Sequence, residues 1–169
     1  LRSLLYSRIL RSQGHGCTFG DAVTVVNTGF LSLGNRVSIH PYCYFLGTGN
    51  ITIGNKVSSA TGCVFVSETH NTFRMDVPIK EQGLSPQSIT IGDDEWFGAS
   101  VVVLGNVKID DGDVIGAGAV IRKDVPAFSV SVGVPAKYMR YRGATGASQP
   151  VADVELDCVS EDTGASTSR

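Results

Sequence analysis

No run of about 18 apolar residues occurs in this sequence, so no segment of it reads as a membrane-spanning helix. Positive charge is not in excess either. Fourteen Lys+Arg against sixteen Asp+Glu leave a formal charge of −2, which is not the basic footprint of a nucleic-acid binder. The four cysteines, Cys17, Cys43, Cys63 and Cys158, lack C-x-x-C spacing, which leaves no signature of a zinc or dithiol site. Only three histidines are present, His15, His40 and His70. No signal-peptide pattern opens the sequence, and a chain opening on Leu1 is compatible with a start further upstream. These absences lead us to expect a protein of the reducing cytoplasm, with no nucleic acid as partner and no membrane span.

What the sequence has instead is glycine, twenty residues of it, and a period. From Ile91 to Pro126 it reads in sixes as IGDDEW, FGASVV, VLGNVK, IDDGDV, IGAGAV and IRKDVP. A large apolar residue opens each unit, at 91, 97, 103, 109, 115 and 121. Gly, Asp and Asn crowd the second to fourth positions, where a bend needs positive φ or side-chain-to-backbone bonding. The fifth position is mostly small or β-branched. Residues two apart on a strand point the same way, so positions five and one face inward and position six faces out. Each unit is one short strand plus one bend, unable to bury its apolar edge alone, so the units must stack into a coil. An antiparallel sandwich of short strands is the competing reading, and its spacing is less regular. Glu95 and Asp113 occupy fifth positions, where a dry interior demands a partner for a carboxylate or a shift of register.

Looser sixes precede this block, starting at Phe19, Leu33, Ile39, Phe45, Ile53, Ser59 and Phe65. The step from Phe45 to Ile53 is longer, which predicts an insertion near Ile51 and Thr52. Leu1, Leu4, Leu5, Ile9 and Leu10 fall at helical spacing, predicting an amphipathic cap for the open end of the coil over residues 1–14. The rhythm stops over residues 71–90 and resumes in phase, which predicts an ejected loop. Its Phe73, Met75 and Ile79 are too apolar to hang in water, so they are expected to pack against something, such as a neighbouring subunit. Residues 143–169, rich in Gly, Ala, Ser and Thr, read as a flexible tail. Cys43 and Cys63, at fifth positions, read as small interior side chains.

The stretch IGDDEWFGASVVVLGNVKIDDGDVIGAGAVIRKDVPAFSVSVGVPAKYMRYR resembles the C-terminal half of the hexapeptide-repeat acyltransferases. Over residues 15–142 the resemblance implies an all-β fold, a single-stranded left-handed parallel β-helix. It also implies a homotrimer with acetyl-CoA as co-substrate, lying in the groove between adjacent prisms, and no metal. The segment VPIKEQG following a histidine is similar to the branch acting on sugars and polysaccharides. That branch implies transfer of an acetyl group to a sugar hydroxyl.

His70 is sixth in FVSETH and so points outward just before the loop. A hydroxyl acceptor needs a base that is neutral near pH 7, which suits an imidazole. The resemblance makes His70 that base. Relatives show H-x-H here, whereas this chain has Glu68-Thr69-His70; Glu68 and Asn71 are expected to contact the acceptor. Trp96 is also sixth in its unit, an outward indole suited to wall a thioester arm or a sugar. By resemblance Ala99, Ala117 and Gly118 line the pantetheine path, and Arg122, Lys123, Lys137 and Arg140 hold the coenzyme phosphates. A backbone N–H near the loop or the Trp96 strand is expected to stabilise the oxyanion.

Other functions are open at this point. An N-acetyltransferase acting on an amino sugar would use the same base and donor. A non-catalytic β-helix scaffold needs neither. A zinc carbonic anhydrase needs three converging histidines, yet His15, His40 and His70 fall at non-matching positions. A covalent mechanism through Cys63 conflicts with its inward position.

Overall fold

The computed structural model describes residues 2–143; Leu1 and the expected tail from residue 144 onward, Cys158 included, lie outside the described residues. Short parallel strands stack into three faces of a prism. Face I holds Ser12–Gln13, Leu31–Leu33, Ile51–Ile53, Ile89–Ile91 and Val107–Ile109. Face II holds Thr18–Phe19, Ser38–Ile39, Ser58–Ser59, Trp96–Phe97, Val114–Ile115 and Ser129–Val132, with Lys137–Tyr141 added antiparallel at its end. Face III holds Thr24–Val26, Tyr44–Leu46, Val64–Val66, Val102–Leu104 and Val120–Ile121. The chain visits the faces in the order I, II, III, and each circuit pairs with the one before it.

The period of six dictates this directly. Ile91, Phe97, Val103, Ile109, Ile115 and Ile121 are all buried, as are the fifth-position Val101, Val107, Ala119 and Val125. Interior side chains therefore stack from coil to coil. The Phe45 ring lies 4.7 Å from that of Phe65 and parallel to it, and Phe65 meets Phe97 edge-on at 5.6 Å. Both fifth-position carboxylates, Glu95 and Asp113, are buried as the register requires.

Two separate reasons place glycine at the bends. A Cβ on Gly98, at the second position, would come within 2.5 Å of the Ala117 amide nitrogen in the next coil. Gly118 has open space around it but a φ of +69°. Arg36, Tyr42, Lys56 and Phe128 also take positive φ, at about 1–2 kcal/mol each. Positive φ is thus less tightly tied to glycine than the sequence suggests, because coil stacking fixes the bend. At the corner from face I to face II, asparagine and aspartate bind successive coils together. Asn35 N–H donates to Asn55 Oδ1, Asn55 N–H to Asp93 Oδ1, and Asp93 N–H to Asp111 Oδ1, at 2.7–2.9 Å.

Asn35 and Asn55 are 20 residues apart, whereas Asp93 and Asp111 are 18 apart. The extra length of the early coils lies at the corner from face III to face I, in residues 27–30 and 47–50. The insertion expected near Ile51 and Thr52 is therefore displaced: both are strand residues of face I, and the corner before them absorbs the excess. The ejected loop leaves at this same corner. It spans 67–88 rather than 71–90, because Ile89 and Thr90 already pair on face I.

The N-terminal helix, Arg2–Ile9, forms, but it is shorter than the expected cap of residues 1–14 because Ser12–Gln13 already pair on face I. Of the expected side chains among the described residues only Leu10 closes the coil, joined by Tyr6. The Tyr6 ring stacks on Phe19 at 4.2 Å, its hydroxyl donates to the Val23 carbonyl, and Leu10 is buried. Leu4, Leu5 and Ile9 are exposed. Among the described residues, no helix is long and apolar enough to cross a membrane.

Candidate active site

His70 ends a short strand, Glu68–His70, that pairs antiparallel with Leu84–Pro86. This two-stranded hairpin stands off the corner between faces III and I. It is anchored at its base by Ser67, whose buried hydroxyl donates to the Gly49 carbonyl at 2.8 Å, while Ser67 O accepts Gln87 N–H at 2.8 Å. Directly opposed residues share a face of a hairpin, as do residues two apart. Glu68, His70, Leu84 and Pro86 therefore form one surface, with His70 exposed upon it.

Asn71, expected to touch the acceptor, spends its amide inside the hairpin. Its Nδ2 donates to the Gln82 carbonyl at 3.0 Å, and its Oδ1 accepts the Ser85 hydroxyl at 2.5 Å. Gln82 braces the loop: its Nε2 donates to the carbonyls of Arg74 and Val77, and its Oε1 accepts Arg74 N–H. Sequence reading missed Gln82, because a glutamine in a loop carries no signal until its backbone partners are known. Phe73, Met75, Ile79 and Leu84 remain exposed, Met75 at 98%. They find no apolar cover among the described residues of this chain.

Trp96 is 48% exposed on the outer side of face II, between Ser58 and Val114. Ala99, Ala117 and Gly118 lie at the corner from face II to face III, where Gly118 N–H donates to the Ala99 carbonyl at 2.8 Å. Ala99, Ala117 and Gly118 are exposed, so this corner offers backbone groups unobstructed by side chains. Arg122 and Lys123 occupy the III-to-I corner near the C-terminal end, and Lys137 and Arg140 lie on the antiparallel strand closing face II. A cleft of about 80 Å³ at that end is lined by Arg122, Lys123 and Tyr138.

Within one chain these residues form two groups. His70 rises from one edge of face III; the small residues line the other edge, with Trp96 around the corner on face II. About six residues of extended chain, or ~20 Å, separate the two edges. Face III itself supplies what sequence reading overlooked. Its outward side chains include Tyr44, Leu46, Val64, Val66, Val102 and Leu104, all partly exposed. Face I, by contrast, presents Ser32, Thr52, Thr90 and Lys108. The signal was present at the outward positions of the face III repeats, which are apolar where those of face I are polar.

The three histidines sit on three different corners: His15 between faces I and II, His40 between II and III, and His70 between III and I. They do not converge in the chain. Cys63 is fully buried and its thiol donates to the Gly98 carbonyl at 3.2 Å. The neighbouring Cys43 thiol, together with burial, pushes the thiol's pKa up, which favours its protonated form. That environment is the opposite of what a nucleophilic thiolate needs.

Comparison with known proteins meets this geometry. A Mycobacterium tuberculosis protein named as an acetyltransferase is 31% identical over 153 residues, covering 87% of this chain and 44% of that protein. The crystal structure of a maltose O-acetyltransferase from Clostridium difficile superposes with a TM-score of 0.77 at 26% identity, covering 83% of this chain and 74% of that one. The chain shares its fold and its repeat with the hexapeptide-repeat acetyltransferases. A Vibrio cholerae hexapeptide-repeat acetyltransferase, solved with acetyl-CoA, shares the fold at a TM-score of 0.75 and 23% identity, over 83% of this chain and 75% of that one. Coils of opposite hand do not superpose over four-fifths of a chain, so the coil has the left hand of that family. The chain spans about half the length of the curated relatives it matches. No protein-family model matches it.

Proposed function

We propose that this chain transfers an acetyl group from acetyl-CoA to a hydroxyl of a sugar or polysaccharide precursor, at a site built between two copies of a homotrimer. The apolar outer side of face III carries the reading, because the two halves of the site flank it. Three copies turning face III toward a common axis bring the III-to-I corner of each beside the II-to-III corner of the next. His70 of one copy then faces Ala99, Ala117 and Gly118 of its neighbour, with that neighbour's Trp96 beside them. The same packing gives Phe73, Met75 and Ile79 a neighbouring copy to cover.

In this arrangement the coenzyme lies along the II-to-III corner. Trp96 walls its thioester arm, backbone groups at Ala99, Ala117 and Gly118 meet the pantetheine, and its phosphates pair with Lys137 and Arg140 of the same copy and with Arg122 and Lys123 on the III-to-I corner of the neighbour that supplies His70. His70 takes the acceptor's hydroxyl proton as the oxygen attacks the thioester carbonyl. A backbone N–H of the hairpin or of the Trp96 strand stabilises the oxyanion. The C–S bond then breaks, and the proton passes from His70 to the leaving thiolate, releasing the acetyl ester and free coenzyme thiol. Glu68, on the same hairpin surface as His70, accepts hydrogen bonds from the acceptor, while Asn71 acts through the hairpin and not on the substrate.

The test is acetyl-CoA-dependent thiol release measured across neutral sugars, sugar nucleotides and amino sugars. Release with hydroxyl acceptors supports the proposal. Release only with amino sugars would make the chain an N-acetyltransferase, and none with any acceptor, together with no coenzyme binding, would leave a scaffold.

A further inference from the structure

Two acidic side chains lie inside the coil, in the column that faces inward just ahead of the face II strands. Glu95 is 2% exposed and Asp113 is fully buried. The strands that follow them pair Trp96 with Val114, so the two residues sit one coil apart, about 4.8 Å along the axis. Each carboxylate uses one oxygen in the same way. Glu95 Oε2 accepts the Asp113 N–H at 3.1 Å, and Asp113 Oδ1 accepts the Ser129 N–H at 2.6 Å. Each also has one oxygen left over, Glu95 Oε1 and Asp113 Oδ2, buried and without a hydrogen-bond donor. A buried acceptor without a donor is costly, and two carboxylates at this spacing cannot both be charged cheaply. One proton between them removes both costs, because it gives each spare oxygen a partner and leaves a single charge.

We propose that Glu95 and Asp113 hold one proton between them inside the coil, with Glu95 the donor and Asp113 the charged acceptor, so that the C-terminal coils are stabilised in acid and loosened toward alkali. The surroundings assign the proton to Glu95. Asp113 has the Ser129 N–H to stabilise its charge, and Arg142 lies near enough to favour it electrostatically. The charged groups acting on Glu95 are Asp113 and Asp111, both of which oppose ionisation. Asp110 acts on Asp113 in the same sense. Val57 is the residue stacked above Glu95 in the column, and Ser129 and Ser131 lie below Asp113, their hydroxyls 3.4 Å apart. Burial pushes the Glu95 carboxyl up to about 8, and burial likewise raises that of Asp113.

The direction of linkage follows. Unfolded, Glu95 ionises near its ordinary value of 4.5; folded, it holds its proton to about 8. Between those limits the folded chain binds more protons than the unfolded one, so stability falls as pH rises from about 4.5 to about 8 and then levels off. The folding equilibrium constant should drop by up to ~10-fold per pH unit in that window. The chain's one tryptophan, at 96, reports unfolding from the adjacent position.

The experiment is urea unfolding followed by tryptophan fluorescence from pH 5 to 9, on the wild type and on Glu95→Gln, with infrared spectra of the wild type over the same range. The expected result is a falling wild-type midpoint that flattens above pH 8, a much shallower dependence in Glu95→Gln, and a protonated-carboxyl band at pH 7 that disappears by pH 9. A wild-type midpoint independent of pH, an unchanged slope in the variant, or a stoichiometric metal in the purified protein would overturn the proposal. If Glu95→Gln does not fold, the infrared band decides alone, and its absence at pH 7 overturns it. None of these outcomes depends on the acetyltransferase reading.

Discussion

His70 and Trp96 stand on opposite sides of one prism: the histidine on a hairpin at the corner between faces III and I, the indole on the outer side of face II, which lies across from that corner. Neither can serve the other within a chain. In the proposed site a second copy joins them, which separates the assembled form from a lone coil.

Replacing His70 with Ala removes the base without touching the coenzyme corner. The expected outcome is a loss of about 10²–10⁴ in kcat with coenzyme affinity unchanged, read from steady-state kinetics beside equilibrium binding. Normal turnover by the variant would reject His70 as the base.

Face III should be sensitive to charge out of proportion to its exposure. Val64→Lys and Leu104→Glu change outward residues that are at least partly in contact with solvent in the single chain. Light scattering should show them as particles of 17.8 kDa, with activity lost and the coil's circular dichroism retained. Trimers of full activity would show that this face does not mediate assembly.

Gln82 makes three hydrogen bonds to backbone groups of the loop, each worth about 1 kcal/mol or less at a surface. Gln82→Ala should loosen the hairpin that carries His70. We expect kcat to fall several-fold while the melting temperature moves little. A lower melting temperature with intact kcat would mean that the brace serves the fold and not the site.

The stacked phenyl column should account for much of the coil's stability. Phe65 contacts Phe45 and Phe97 at ring distances of 4.7 and 5.6 Å. Phe65→Ala should cost about 3–5 kcal/mol in chemical denaturation, and a loss below 1 kcal/mol would contradict this account of the core.

The period of six carried most of the fold into view. It placed Ile91, Phe97 and the rest of their column inside, put Glu95 and Asp113 there against their chemistry, and pointed Trp96 and His70 outward. All of that follows from two-residue alternation along a strand. What it could not show depends on where bends close in space. The insertion before Ile51 was misplaced because spacing counts residues without saying which corner takes the excess. Leu4, Leu5, Ile9 and Leu10 suggested a cap by helical spacing, but of these only Leu10 reaches the open end, together with Tyr6. Asn71 looked available for an acceptor until the Ser85 hydroxyl and the Gln82 carbonyl came within reach of its amide. The site itself was legible as a set of residues and not as a place, because one chain holds them on separate edges and the proposed assembly alone brings them together.

Subunit complementation tests that claim most directly. His70→Ala removes the base, and Ala117→Trp blocks the small-residue corner. Each variant alone should be inactive. Dissociated, mixed in equal amounts and reassembled, they should recover about a quarter of wild-type activity, since in random trimers a site regains function when an intact His70 from one copy meets an intact corner of its neighbour. A mixture as inactive as its components would mean that no site is shared between copies, and the account of this enzyme as a trimer with intersubunit sites would be wrong.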